Sequence, residues 1–94
     1  MKQYTDEVIE LSVRDATGQK PFKIKRLDVR MTVGDLISSL VPRMGLNTKD
    51  SAGREHTYEA FLEREARHLN PSETVRESLR SQDEIVLQPY VAAG

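Results

Sequence analysis

The end of the 94-residue chain is the clearest candidate for chemistry. Its last six residues, Pro89 to Gly94, carry no charged side chain, although 31% of all residues are charged. A terminal glycine leaves its carbonyl carbon unhindered, so its carboxylate, once activated, is open to attack by a thiol or an amine. We therefore take the Gly94 carboxylate as the candidate reactive group. The alternative is an ordinary frayed end or a remnant of cloning.

Other residue types offer little catalytic chemistry. The sequence has no cysteine, which excludes a disulfide, a thiolate metal site and a cysteine nucleophile on this chain. Its two histidines, His56 and His68, stand in no motif that supplies a serine with a base or a metal with three or four ligands. We expect both to be surface residues, with no metal and no cofactor. The chain is predicted to be the substrate of enzymes and not an enzyme.

Composition predicts one small globular domain with an aliphatic core, since 37% of residues are hydrophobic and the mean hydropathy is -0.58. Basic and acidic residues are mixed and sum to a net charge of -1, which gives no general attraction to nucleic acid. The basic segment "KPFKIKR" suits a solvated strand face better than a phosphate site. No apolar run approaches the roughly 20 residues of a membrane span, so we expect a cytoplasmic monomer with no membrane contact.

Period-two alternation of apolar residues predicts a strand over Val8 to Val13. Asp15 to Gly18 then has turn residues, and "PFKIKRLDV" resumes the apolar pattern, so the two segments form a β-hairpin. The apolar phase of the second strand changes midway. This change predicts a bulge or bend at Lys25 and Arg26.

A single amphipathic helix is predicted to begin after Thr32. Thr32 is a favourable N-cap, and Asp35 suits the positive end of the helix dipole. Pro42 and Gly45 predict that the helix kinks or ends between Leu40 and Met44. The apolar face consists of Val33, Leu36, Ile37, Leu40 and Val41.

The second half of the chain begins with a long polar loop over Leu46 to Thr57. Strands are predicted at "YEAFLE", at the short "RHL" and at "EIVLQP". A one-turn helix with Val75 and Leu79 four residues apart precedes the last strand. The element order is therefore strand, strand, helix, strand, short strand, short helix, strand.

This order is that of the β-grasp fold, and the chain resembles ubiquitin and its relatives. "DATGQK" is similar to the first hairpin turn of ubiquitin, "TVGDLI" to the capped start of its helix, and "TVRESLRSQDEIVL" to the segment leading into its last strand. If Ile85 and Leu87 are the buried residues of that strand, Gly94 falls where mature ubiquitin has its final glycine. The chain is most similar to bacterial ubiquitin-like modifiers encoded with their own activating, conjugating and deconjugating enzymes.

The resemblance implies an α+β fold with a mixed four- to five-stranded sheet, one main helix across it and a short helix before the last strand. Residues 1–6 would be a flexible extension, 7–89 the β-grasp domain and 90–94 a flexible conjugation tail. The competing functions are a non-covalent ubiquitin-like module of the type associated with bacterial secretion systems and a sulfur carrier. The residues after the last strand disfavour the former, and the missing penultimate glycine disfavours the latter.

For a modifier, the resemblance implies four partners: an E1-like adenylating enzyme, an E2-like conjugating enzyme, a JAB-type metalloprotease that deconjugates, and a target protein. Tyr90, Val91, Ala92 and Ala93 would be threaded into the activating enzyme ahead of Gly94. Ala93 replaces the usual glycine, and Tyr90 and Ala92 replace basic residues of ubiquitin, so a dedicated enzyme set is expected. The possible acceptors for chain building are Lys2, Lys20, Lys23, Lys25 and Lys49. The alternative is that these lysines are ordinary solvated surface residues.

Ubiquitin-like proteins bind partners through an apolar patch on the exposed sheet face. Alternation allows either Ala60 and Leu62 or Phe61 to face the core, and the sequence leaves both registers open. If Phe61 faces outward, the resemblance implies a patch of Phe61, Gln88 and a nearby Tyr90. Gln88 stands where ubiquitin has an apolar patch residue, which indicates a different binding specificity.

Overall fold

The computed structural model describes residues 8–16, 21–49, 51–55 and 57–90. These residues form the strands and helices in the predicted order. The strands are β1 (Val8–Asp15), β2 (Phe22–Asp28), β3 (Thr57–Leu62), β4 (Arg67–His68) and β5 (Asp83–Tyr90), and the helices are α1 (Val33–Arg43) and α2 (Val75–Ser78).

The strands form one mixed sheet in the order β2-β1-β5-β3-β4. β5 pairs parallel with β1 and antiparallel with β3, and the two outer pairs, β1 with β2 and β3 with β4, are antiparallel. Parallel neighbours require a crossover connection, and α1 lies in the chain between β1 and β5 and packs on the sheet. The predicted α+β, β-grasp architecture is confirmed.

The predicted bulge in β2 is confirmed. Ile9 pairs with Leu27 while Leu11 pairs with Ile24, so two residues of β2, Lys25 and Arg26, lie opposite one residue of β1. The extra residue turns Leu27 toward the core although it lies three positions after Ile24.

The core lies between α1 and one face of the sheet. Four residues of α1, Val33, Leu36, Ile37 and Leu40, are buried, as the apolar spacing predicts. Val41, predicted on the same face, is only partly buried at its margin. The sheet contributes Leu11, Val13, Leu27, Ala60, Leu62, Ile85 and Leu87, all at most 5% exposed.

Both ends of α1 follow the sequence signals. The Thr32 hydroxyl accepts a hydrogen bond from the Asp35 N–H at 3.1 Å, which satisfies one of the free donors of the first turn. Pro42 lies in the last turn, and Gly45 takes a φ of +69°, the left-handed conformation that glycine adopts without steric cost. The helix therefore ends within the predicted interval.

The last strand is longer than predicted. β5 continues through Pro89, which pairs with Tyr58, to Tyr90, which pairs with Thr57. The pairing with β1 stops at Leu87, so among the described residues this end of β5 has only β3 as a neighbouring strand. Because no strand pairs with Pro89 on the β1 side, its missing N–H interrupts no ladder there. The segment predicted to be a tail from Tyr90 onward thus begins inside the strand.

Neither helix in the described ranges is long and apolar enough to cross a membrane.

The packing of α1 gives a stability test. Leu40 is fully buried, whereas its neighbour Ser39 is exposed. We expect Leu40→Ala to lower the free energy of unfolding by about 2–5 kcal/mol, because it removes buried apolar volume and leaves a cavity. Ser39→Ala, the matched control, should change it by no more than about 0.5 kcal/mol. Denaturant unfolding followed by circular dichroism measures both, and equal stabilities of the two variants would contradict the packing described.

Candidate functional site

The residues with predicted chemistry follow β5 in the sequence. Gly94 and the tail residues Val91, Ala92 and Ala93 are outside the described residues, so their predicted roles stay predictions. The structure locates the point from which they extend: Tyr90, the last residue of a strand in the interior of the sheet and 50% exposed. Three further predicted positions, Lys2, Lys20 and His56, also fall outside the described residues.

The register of β3 answers the question that the sequence left open. Ala60 and Leu62 are both fully buried, so Phe61 between them points to the sheet face opposite α1, which we call the outer face. Phe61 is partly buried there by its neighbours on the same face.

Three side chains surround Phe61 on the outer face. Val86 of β5 and His68 of β4 are its cross-strand partners. The His68 ring packs edge-on, with ring centroids 5.2 Å apart and planes at 71°. Gln88 continues the group, because its side-chain oxygen lies 2.9 Å from His68 Nε2. We call Phe61, Val86, His68 and Gln88 the outer-face patch.

Tyr90 lies apart from this patch. Phe61 pairs with Val86, whereas Tyr90 pairs with Thr57, four positions further along the ladder. At a rise of about 3.3 Å per residue, roughly 13 Å of strand separates the two pairs. The structure therefore places Phe61 and Gln88 side by side on the outer face, with Tyr90 further along β5. The role of these three residues as one partner-binding patch stays a prediction.

Sequence reasoning missed Val86 and His68 as members of the patch. Val86 was detectable, because alternation that buries Ile85 and Leu87 turns Val86 outward. His68 lies on the surface, as predicted, with 48% of its side chain exposed. Its position beside Phe61 depends on the two-residue strand β4, for which a local pattern carries almost no information.

A network centred on Glu73 fixes the segment between β4 and α2. Arg67 donates two hydrogen bonds to the Glu73 carboxylate, at 3.1 and 3.2 Å. The Ser78 hydroxyl and the Asn70 N–H donate to the same carboxylate. These donors, Arg67 first, lower the pKa of Glu73 to about 2. The carboxylate therefore stays ionised and holds β4, which carries His68, against α2.

A second ion pair anchors the start of β5. Arg64 donates to both oxygens of Asp83, at 2.9 and 3.1 Å, and to the carbonyl of Ser78. Burial raises the pKa of Asp83, but the hydrogen bonds from Arg64 and from the N–H of Arg80 outweigh it, so the pKa lies below its ordinary value. This pair fixes the strand that carries Val86, Gln88 and the tail.

The acceptor lysines within the described ranges are Lys23, Lys25 and Lys49, and all three are exposed. Lys23 and Lys25 belong to β2, at one edge of the sheet, whereas Lys49 lies in the polar loop after α1. None of them lies in the outer-face patch. Their use as acceptors stays a prediction.

On the opposite side of the sheet, a cleft of about 400 Å³ separates α1 from the start of β3. Tyr58 forms part of its wall, and its hydroxyl donates to the carbonyl of Asn47 at 2.7 Å. The described residues contain no group of three or more histidine, aspartate or glutamate side chains that could hold a metal ion.

Known structures share this arrangement. The chain superposes on Caldiarchaeum subterraneum ubiquitin with a TM-score of 0.66 at 18% identity, over 93% of this chain and 99% of that one. A designed protein based on ubiquitin superposes with a TM-score of 0.68 at 15% identity, over 93% of this chain and 94% of that one. A chain of the MycP5-free ESX-5 inner membrane complex superposes with a TM-score of 0.68 at 14% identity, over 94% of this chain and 22% of that one. No protein-family profile and no curated protein matches the sequence.

The topology and these superpositions define the class of the molecule: its fold is the ubiquitin-like β-grasp fold. At identities of 14 to 18%, the likeness concerns the fold alone. A shared fold does not by itself establish a shared function.

The Glu73 network predicts a pH-dependent stability. Because the pKa of Glu73 is about 2 in the folded chain and ordinary in the unfolded chain, its contribution is complete above the ordinary glutamate range and is lost as pH falls toward 2. Glu73→Gln should lower the free energy of unfolding at pH 7 by about 1–2 kcal/mol and flatten its decline between about pH 5 and 2. Urea unfolding across this range measures both effects.

The matched control is Glu55→Gln, because Glu55 is an exposed glutamate in the loop before β3. This control should follow the wild-type pH curve. A Glu73→Gln curve that is parallel to wild type at every pH would show that the Glu73 carboxylate does not contribute the stability described.

Proposed function

We propose that the chain is a ubiquitin-like protein modifier whose Gly94 carboxylate is conjugated to amines of target proteins. The observation that carries the proposal is the position of Tyr90, the last described residue before the tail. β5 lies in the interior of the sheet, pairs with β3 as far as Tyr90, and is followed by four uncharged residues ending in glycine. The folded domain is thus followed in the sequence by a short segment without charged side chains. The carboxylate is either encoded at this position or exposed by cleavage after Gly94.

The chemistry requires only an accessible carboxylate on this chain. The Gly94 carboxylate attacks the α-phosphate of ATP, which forms an acyl adenylate and releases pyrophosphate. A cysteine thiolate of the enzyme displaces AMP to give a thioester, and a target amine displaces that thiol to give an amide. Small residues before Gly94 let the segment enter a narrow enzyme channel without steric cost. Every nucleophilic cysteine belongs to a partner, because this chain has none.

The proposed partners are an E1-like adenylating enzyme, an E2-like conjugating enzyme, a JAB-type metalloprotease that removes the modifier, and the target protein. Tyr90 is the first residue that an activating enzyme would meet, since it is half exposed at the end of β5. Ala93 and the absence of basic tail residues require enzymes selective for this tail. The chain would act in the cytoplasm as a monomeric substrate of these enzymes.

A non-covalent interaction module is the second candidate. The outer-face patch favours it, because Phe61 and Val86 are only partly covered and stand beside exposed polar groups. The superposition on a chain of the ESX-5 inner membrane complex shows that this fold also occurs as a small part of a larger polypeptide. In this case the fold would bind its partner through the sheet, and Gly94 would be dispensable.

Peptide mass spectrometry distinguishes the two candidates. Denatured lysate from cells carrying the native neighbouring genes is compared for the intact chain and for a variant lacking Gly94. No lysine or arginine lies between Ser81 and Gly94, so trypsin leaves a branch of residues 81–94 on each modified lysine. Cleavage after Tyr90 by chymotrypsin shortens the branch to residues 91–94. We expect branched peptides from the intact chain only.

The matched control is Ala93→Gly, which keeps the tail length and the terminal glycine and should retain branched peptides. If neither the intact chain nor Ala93→Gly yields branches while the folded chain still binds a partner stably, the covalent proposal is wrong. The same spectra report whether Lys23, Lys25 or Lys49 of the modifier itself carries a branch, which is the evidence for polymers.

A further inference from the structure

The outer-face patch is framed by charged side chains that the sheet places on the same face. In β5, Glu84 and Val86 are both on this face, and the β1 partner of Val86 is Arg14. Glu59 lies across from Gln88, and Glu63 follows the end of β3, where its N–H donates to the carbonyl of Glu84. Within the described residues, the frame around Phe61 and Val86 therefore consists of Glu59, Glu63, Glu84 and Arg14.

The charge of this frame is negative. One guanidinium, that of Arg14, is shared between two carboxylates: its Nε pairs with Glu84, and its NH2 lies 3.7 Å from Glu63. The third carboxylate, Glu59, lies 3.7 Å from His68 Nε2 and has only this histidine as a cationic candidate in the patch. Three carboxylates against one guanidinium leave the frame with a net negative charge.

These groups remain accessible to a partner. The exposed fraction of the side chain is 44% for Glu63, 41% for Glu84 and 34% for Glu59. Exposed ion pairs of this kind are held weakly, so Arg14 can be displaced from a carboxylate by a competing cation at little cost. Lys23 of β2 shares this face, because its partner Ser12 pairs with Glu84 on the other side. It belongs to the edge strand, however, with β1 between it and β5, and among the described residues neither Lys23 nor Lys25 forms an ion pair with the frame carboxylates.

We infer that the outer face binds a protein segment that presents an apolar side chain flanked by arginine or lysine. The apolar side chain would pack on Phe61 and Val86, and the flanking cations would pair with Glu59, Glu63 and Glu84. Gln88 offers a side-chain oxygen and nitrogen beside this contact and selects for a hydrogen-bonding group there. Charge complementarity excludes an acidic segment, nucleic acid and anionic lipid from this face. The surface serves a covalent modifier and a non-covalent module equally.

The test is a titration of the full-length, isotope-labelled chain with three synthetic dodecapeptides, followed by NMR chemical shifts. The peptides share a central leucine and differ only in its neighbours, which are arginine, glutamate or serine. We expect the arginine peptide to shift the amide signals of Phe61, Val86, His68 and Gln88, and to bind at least about tenfold more tightly than the glutamate peptide at low salt. The serine peptide should bind with intermediate affinity.

Substitutions of the frame locate the contact. Glu59→Gln and Glu63→Gln should each lower the affinity for the arginine peptide by about two- to fivefold. Glu55→Gln, outside the outer face, should leave this affinity unchanged. Replacing both glutamates by lysine, Glu59→Lys with Glu63→Lys, should reverse the preference to the glutamate peptide. Because all of these positions are at least partly exposed, the variants keep the core that folds the chain.

Three results would overturn the inference: equal or tighter binding of the glutamate peptide, shifts confined to β2 or to the α1 side, or no shifts on the outer face with millimolar arginine peptide. The titration is repeated on the variant lacking Gly94. Since peptide binding needs no conjugation, its outcome is independent of whether branched peptides are found.

Discussion

The insertion of the last strand into the interior of the sheet is the constraint on which the rest of the structure depends. β5 pairs with β1 on one side and with β3 on the other, so it joins two antiparallel pairs into one sheet. Its parallel pairing with β1 requires a connection that crosses the sheet, and α1 lies within that connection. The buried residues Ile85 and Leu87 then meet α1, and Val86 and Gln88 face the other way.

The same strand separates two kinds of interaction. Its inward residues contribute to stability, its outward residues form part of the proposed binding face, and the predicted tail follows its end. Because alternation along one strand separates these two faces, a substitution at Val86 or Gln88 changes the outer face without touching the core. The ion pair of Arg64 with Asp83 and the Glu73 network fix the start of β5 and the neighbouring β4, so the geometry of the outer face is set by contacts at its border.

Local signals explain how much of this fold was predictable. Thr32, Pro42 and Gly45 bounded α1, and the phase change at Lys25 and Arg26 located the bulge, because each depends on residues close in sequence. The register of Phe61 was ambiguous, since both phases of β3 contain apolar residues. The contacts of His68 with Phe61 and of Arg67 with Glu73 were not predictable, because they depend on how β4 and α2 are brought together. The continuation of β5 through Pro89 to Tyr90 was not predictable either, since the extent of strand pairing has no signal in composition.

The interior position of the last strand also governs when the fold can form. β1 and β5 are separated by nearly the whole described sequence, so their pairing is a long-range contact of the kind that forms slowly during folding. During synthesis, β1 and β3 must wait with unpaired edges until β5 has left the ribosome. A chain interrupted before Asp83 therefore cannot close its sheet, and it leaves exposed edges of the kind that chaperones and proteases recognise. Only a completely translated domain acquires β5 and thereby the complete sheet.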